Sequence, residues 1–181
     1  MPSYKSFDPN TEVIGHNVLA FVQNAQADEI KTVLEKHDLA EIDPNAWYPQ
    51  QKWLDVLSDL SEQGGAMFNF VAIGAAIAET AVMPPEAEKL SFEEVIFAIN
   101  DIYQMQHRNG DAGEITIEKP GKNHLVLNVR VPYPDDLEYG TAFGFARRFL
   151  PKGTDFTVLY DDQAPRQSQD GDSTVIHVKW Q

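Results

Sequence analysis

The chain has 181 residues, 43% of them hydrophobic, which is enough for one substantial core in a single domain over 1–181. Its 28 acidic residues against 14 basic ones leave a formal charge of -14, which repels phosphate backbones and anionic lipid and sets nucleic-acid and membrane-surface roles aside. With no cysteine, disulfides, thiolate nucleophiles and cysteine-ligated zinc or iron–sulfur sites are excluded, in keeping with a reducing compartment.

Residues 1–10, with Pro2 and Pro9 among Ser and Tyr, read as a tail or a docking arm. A helix is predicted over 11–26, where Val13, Ile14, Val18, Phe21 and Val22 share a stripe and Asn10 or Thr11 is available as a cap. A shorter helix follows over 28–37, with Ile30, Val33 and Leu34 inward, before Asp43-Pro44-Asn45 breaks the chain. Pro49 suits a first helical position, and Trp53, Leu54, Leu57 and Leu60 give the third helix its apolar side. Gly64-Gly65 stops it. Met67, Phe70, Val71, Gly74, Ile77, Ala78 and Ala81 then recur at helical spacing through a stretch apolar nearly all round, the mark of a central helix. That stretch, 66–83, carries Glu79, and no export signal opens the chain, so a cytoplasmic protein without membrane insertion is expected. Ser91-Phe92-Glu93-Glu94 reads as a capping box opening a fifth helix, with Val95, Ile96, Ile99, Ile102 and Tyr103 as its stripe.

The pattern changes period after Asn109-Gly110. Ile115 and Ile117 alternate with polar residues, Pro120-Gly121-Lys122-Asn123 supplies a turn, and Leu125, Leu127, Val129 and Val131 share one face of the next strand. Asp135 and Asp136 are placed to cap a helix over 137–150 with Tyr139, Phe143, Ala146, Phe149 and Leu150 at spacings of three and four. Gly140 and Gly144, one turn apart, weaken that helix but let another backbone come close. Strands over 154–160 and 174–180 close the chain. The expected fold is α+β: a helical part over 11–110 packed against a four-stranded, mainly antiparallel sheet built as a strand-strand-helix-strand-strand module over 114–181.

This element order, with the runs Ile102-Tyr103-Gln104-Met105-Gln106-His107-Arg108-Asn109-Gly110, Ile115-Thr116-Ile117-Glu118-Lys119-Pro120, Tyr139-Gly140-Thr141-Ala142-Phe143-Gly144-Phe145-Ala146-Arg147-Arg148-Phe149 and Val175-Ile176-His177-Val178-Lys179-Trp180, resembles the haem-NO-binding (H-NOX) type of sensor domain. It is similar also to the 4-vinyl-reductase domain and the Bet-type vesicle-tethering subunits that share that fold. The resemblance implies a ligand-binding or signal-input role. Haem-binding members carry a proximal histidine in the helix before the sheet and a Tyr-x-Ser-x-Arg signature that grips the propionates. Here the corresponding helix positions are Asn100, Asp101 or Ile102, and Arg130 has no Tyr-x-Ser before it, so no haem or other cofactor is expected.

Other candidates read as structural. His107 beside Arg108 suits the C-terminal end of a helix dipole, His124 and His177 could point toward one another across the sheet but without a third ligand read as satisfied or solvent-facing, and His37-Asp38 ends a helix. Asp161-Asp162 and Asp170-Gly171-Asp172 lack EF-hand spacing, so no metal site is expected, and no catalytic motif stands out. Glu79, inside the most apolar helix, must be paired or neutral if buried, or else sit at an exposed end. On the resemblance, a small apolar ligand would lie against Met67, Phe70, Val71, Ile99, Tyr103 and Leu127. The alternative is a ligand-free scaffold acting as a homodimer or on a signalling partner protein.

Overall fold

The computed structural model describes residues 4–25, 27–62 and 69–181; Gly64, Gly65 and Met67 lie outside the described residues. In chain order the elements are β1 (Glu12–Ile14), α1 (Gly15–Asn24), α2 (Ala27–Lys36), β2 (Trp47–Pro49), α3 (Gln50–Glu62), α4 (Phe70–Thr80), α5 (Phe92–Phe97), α6 (Ile99–Met105), β3 (His107–Arg108), β4 (Glu114–Gly121), β5 (His124–Arg130), α7 (Asp135–Phe149), β6 (Phe156–Tyr160) and β7 (Thr174–Trp180).

The carboxy-terminal module is a four-stranded sheet of order β4-β5-β7-β6 in which every neighbouring pair is antiparallel. Period-two spacing sets its faces: Leu125, Leu127, Val129, Ile176, Val178 and Val158 are buried toward the helices. The expected four-residue turn tightens to Lys122-Asn123, because β4 continues through an irregularity between Glu118 and Gly121 that accommodates Pro120.

The central helix α4 lies directly on α7. An added Cβ at Gly140 would stand 2.1 Å from the Val71 carbonyl oxygen, and one at Gly144 would stand 2.4 Å from that of Ala75. The paired glycines are therefore where two backbones meet, as their spacing suggested. The matching sequence order of these contacts makes the helices run parallel, and Glu79 finds its partner there. Arg147 Nη2 donates to Glu79 Oε2 at 2.8 Å, while Oε1, 2.7 Å from Nε, is held by charge without a well-directed hydrogen bond. On its other side α7 meets the sheet, with Tyr139 OH donating to the Val158 carbonyl at 2.6 Å and Phe143 packing on Phe156. Buried residues of the helices and of the sheet form one continuous cluster.

Several local expectations are corrected. Residues 11–14 do not begin a helix: Val13 pairs with Tyr48 and His107 in a small sheet of order β2-β1-β3, and α1 starts at Gly15. Three residues are too few to show a strand's period, so their apolar pair reads equally well as helix. Pro49 accordingly closes β2, and Gln50 opens α3. The fifth helix is split at Ala98 into α5 and α6, although its Ser91–Glu94 capping box is present as expected. Neither Asp135 nor Asp136 is the cap of α7, which follows Pro134; Asp135 instead accepts from Thr174 Oγ1 and from the Ser168 amide. Residues 4–8 are a docked arm, not a free tail: the Tyr4 and Ser6 amides donate to Ser58 Oγ and Gln51 Oε1.

Candidate functional site

Two of the polar residues buried in the core, Gln50 and His107, meet at the hydroxyl of Tyr133. Gln50, at the first turn of α3, is 0% exposed, and its Nε2 donates to Tyr133 OH at 3.3 Å. Its Oε1 lies 2.6 Å from the Ser6 hydroxyl of the docked arm. Tyr133 OH is 2.7 Å from His107 Nε2, and His107 Nδ1 is 2.8 Å from the Tyr103 carbonyl. A carbonyl only accepts, so Nδ1 carries the proton and Nε2 is the acceptor for the Tyr133 hydroxyl. The chain runs Ser6–Gln50–Tyr133–His107–Tyr103, and Tyr103 OH spends its proton on the Ala112 carbonyl at 2.5 Å.

This corrects the reading of His107. It lies in β3, buried, and not exposed at a helix end. Burial lowers its pKa and keeps the ring neutral despite the bond to the Tyr103 carbonyl. Burial also raises the hydroxyls of Tyr103 and Tyr133, with the negative charge of Glu138 adding to both. Glu138, in the first turn of α7, retains some exposed surface, yet the protein around it, with a contribution from Asp135, pushes its carboxyl up to about 7. The three rings of the cluster, Tyr103, His107 and Tyr133, pack on one another with centroids 4.3 to 6.3 Å apart.

The apolar residues expected to line a ligand fall in separate layers. Phe70 packs on Phe21 of α1, and the Val71 backbone sits on Gly140. Ile99 and Tyr103 line α6, and Leu127 faces inward from β5 between Ile117 and Ile176. All but Val71 are buried, Val71 is half-buried, and Met67 is outside the described residues. Tyr103 was named from sequence alone; Gln50, Tyr133 and Glu138 were not. Tyr133, set between Pro132 and Pro134, carried the one local signal, since an aromatic held between prolines has little freedom to leave its place.

The residues do not fit a haem. His107, the buried histidine, has both ring nitrogens engaged. Of the positions expected to supply the axial donor, Asn100 accepts from the Ile115 amide at 2.9 Å, and Asp101 and Ile102 face solvent. Arg130, the expected propionate clamp, is held by Asp111 at 3.1 Å and covers the Phe7 ring.

Elsewhere, His124 and His177 do face one another: His124 Nε2 is 2.8 Å from His177 Nδ1, and His177 Nε2 is 2.9 Å from Asp161 Oδ2. Among the described residues no group of three or more His, Asp or Glu is arranged to hold a metal ion. Asp161 spends its other oxygen on the amides of Gln163 and Ala164. His37 is oriented by Asp59 of α3 at 2.8 Å, not by its neighbour Asp38. Two open depressions, of about 410 and 500 Å³, lie along β6 and the ends of β5 and β7, away from the apolar lining. No described helix is long and apolar enough to cross a membrane.

No protein-family model and no curated protein matches the chain. Solved structures do. A variant of Tt H-NOX superposes with a TM-score of 0.68 at 12% identity, over 93% of this chain and 95% of that one. An H-NOX protein from S. oneidensis in the Fe(II)NO ligation state gives 0.68 at 14% identity, over 93% and 99%. An oxygen-binding H-NOX domain related to soluble guanylate cyclases gives 0.67 at 12% identity, over 92% and 94%. The chain has the H-NOX fold.

Proposed function

We propose that this chain is a haem-independent signal-input domain. In this reading it admits a small molecule with an apolar body between α4, α6 and the sheet, against Met67, Phe70, Val71, Ile99, Tyr103 and Leu127, and signals to a partner protein in the cytoplasm. The observation that carries it is the buried polar cluster of Gln50, Tyr103, His107 and Tyr133 set in an otherwise apolar interior, since small-molecule sites combine apolar walls with a few convergent polar groups. The same cluster supplies a route for the signal. A ligand that moves Tyr133 strains its bond to Gln50, and Gln50 holds Ser6 of the docked arm. Loosening residues 4–8 changes the surface offered to a partner.

A second reading, a ligand-free scaffold, rests on the exposed apolar side chains of α5 and α6, with Phe97 at 50%, Ile102 at 37% and Met105 at 78% exposure. Native mass spectrometry of protein purified from its own host separates the two. A retained small-molecule mass that Tyr103→Ala removes is expected. A bare dimer that dissociates in Met105→Glu favours the scaffold.

A further inference from the structure

We infer that His124, His177 and Asp161 form a proton-operated clasp on the outer face of the sheet, closed while the gap between the two imidazoles holds one proton and opened when it holds two. It ties β5 to β7 and, through Asp161, to the loop after β6. Because Leu125, Ile176 and Val178 point inward toward the helices, the two histidines lie on the other face, and the clasp works whether or not a small molecule enters the interior.

The geometry fixes what the rings share. His124 Nε2 is 2.8 Å from His177 Nδ1, and the ring centroids are 5.1 Å apart, which is that gap lengthened by one ring radius at each end. The nitrogens therefore meet head-on, as in a straight hydrogen bond. A metal ion set between them at about 2.0–2.1 Å per bond would hold them about 4 Å apart, so the gap fits a proton and not a metal.

Asp161 fixes the direction of the bond. The bond from His177, with those from the Gln163 and Ala164 amides, holds its carboxyl below the usual carboxylate range, so Oδ2 accepts from His177 Nε2–H at 2.9 Å. His177 Nδ1 is then the acceptor, His124 Nε2 the donor, and His124 Nδ1 the nitrogen without a partner among the described residues. A first added proton enters at His124 Nδ1 and leaves the bond between the rings intact, whichever ring keeps the charge. A second finds no lone pair in the gap, because both facing nitrogens then carry hydrogen. His177 stays on Asp161, so His124 is the ring that turns, toward the open depression of about 500 Å³ that it borders with Asn123, Asp155 and Lys179.

The neighbouring charges set the sign. Lys179 stands opposite His124 on β7, Glu118 lies opposite Val126 on β4, Lys122 is in the turn before β5, Asp155 precedes β6, and Asp162, Asp170 and Asp172 follow in the loop, whose Arg166 is paired with Asp136. The facing positions of β6, Thr157 and Leu159, are uncharged. Partial burial, then Lys179 and His177, lower the His124 pKa, so the clasp is closed at neutral pH and is lost as pH falls below 6.5.

The test follows the imidazole nitrogens of the full chain by nuclear magnetic resonance from pH 8 to pH 4.5, together with the backbone amides of Asn123, Asp155 and Lys179. Two steps common to both rings are expected, the second proton binding about tenfold or more weakly than the first, and the three amides shift with the second step. In His124→Gln the side-chain amide offers His177 either a donor or an acceptor at every pH, so His177 titrates in one step and the amides stay still. Two independent single-step curves, or a His177 curve unchanged in His124→Gln, would overturn the shared proton. A second step that moves none of the three amides would overturn the clasp.

Discussion

Adding a single methyl group at Gly140 tests the way α4 and α7 are joined. Taken as helix propensity alone, Gly140→Ala in the middle of α7 stabilises by roughly 0.5–1 kcal/mol. A steric clash outweighs that gain. The new Cβ would lie 2.1 Å from the Val71 carbonyl oxygen and 2.9 Å from the Val71 Cα, and both neighbours are backbone atoms with no rotamer to change. Relief requires α4 to move off α7 by roughly 1 Å along an interface also wedged at Gly74 and Gly144, where the corresponding distances are 2.2 and 2.4 Å. Overpacking of this kind costs about 1–3 kcal/mol, so the net expectation is a loss of roughly 1–2 kcal/mol. Urea unfolding followed by far-ultraviolet circular dichroism reads it directly, as a lowered midpoint at an unchanged m value. Gly121→Ala is the control, because its Cβ would meet only His124 Cβ at 3.8 Å. A raised midpoint for Gly140→Ala would refute the close backbone contact.

Two further outcomes follow from the buried cluster. Glu138 has its folded pKa raised from 4.5 to about 7, so its ionisation is opposed only in the folded state. Its unfavourable contribution is absent below the lower value, grows as pH rises between the two, and reaches roughly 3 kcal/mol above the higher one. Burial of His107 acts in the opposite sense, withdrawing stability as pH falls through 6.5, so the measurement is the difference between the wild type and Glu138→Gln across pH 4.5 to 7. A difference that does not change with pH would remove Glu138 from the interior. Tyr133→Phe deletes the hydroxyl that links His107 to Gln50 and leaves two buried polar groups short of a partner. It is expected to cost about 1–3 kcal/mol and to speed amide exchange of Tyr4 and Ser6; unchanged exchange there would break the proposed link between the site and the arm.

The sheet module was legible because its cues are local. Alternation in Ile115-Thr116-Ile117 and Leu125-Val126-Leu127 sets the faces, Ser91 and Glu94 cap within one turn, and the spacing of Gly140 and Gly144 announces a close neighbour. The small sheet of β1, β2 and β3 was not legible, since elements of two or three residues have no period and owe their form to pairing at long range. The polar cluster was hidden for the same reason. Gln50 and Tyr133 are 83 positions apart, and His107 and Tyr133 are 26 apart, so no short window of sequence holds either pair. Of the cluster, Tyr103 was picked out on its helical spacing and His107 was read only as a helix-end residue, while the near-neutral acid Glu138 looked like any first-turn carboxylate.

The central claim, an H-NOX fold that works without haem, is tested most directly by the absorbance of the purified protein titrated with hemin. Stable haem ligation requires an inward axial donor, and here His107 is tied to Tyr103 and Tyr133 while Arg130 is tied to Asp111. The account predicts only the broad, weak absorbance of adventitious association. A sharp Soret band saturating at one haem per chain and abolished in His107→Ala would contradict it.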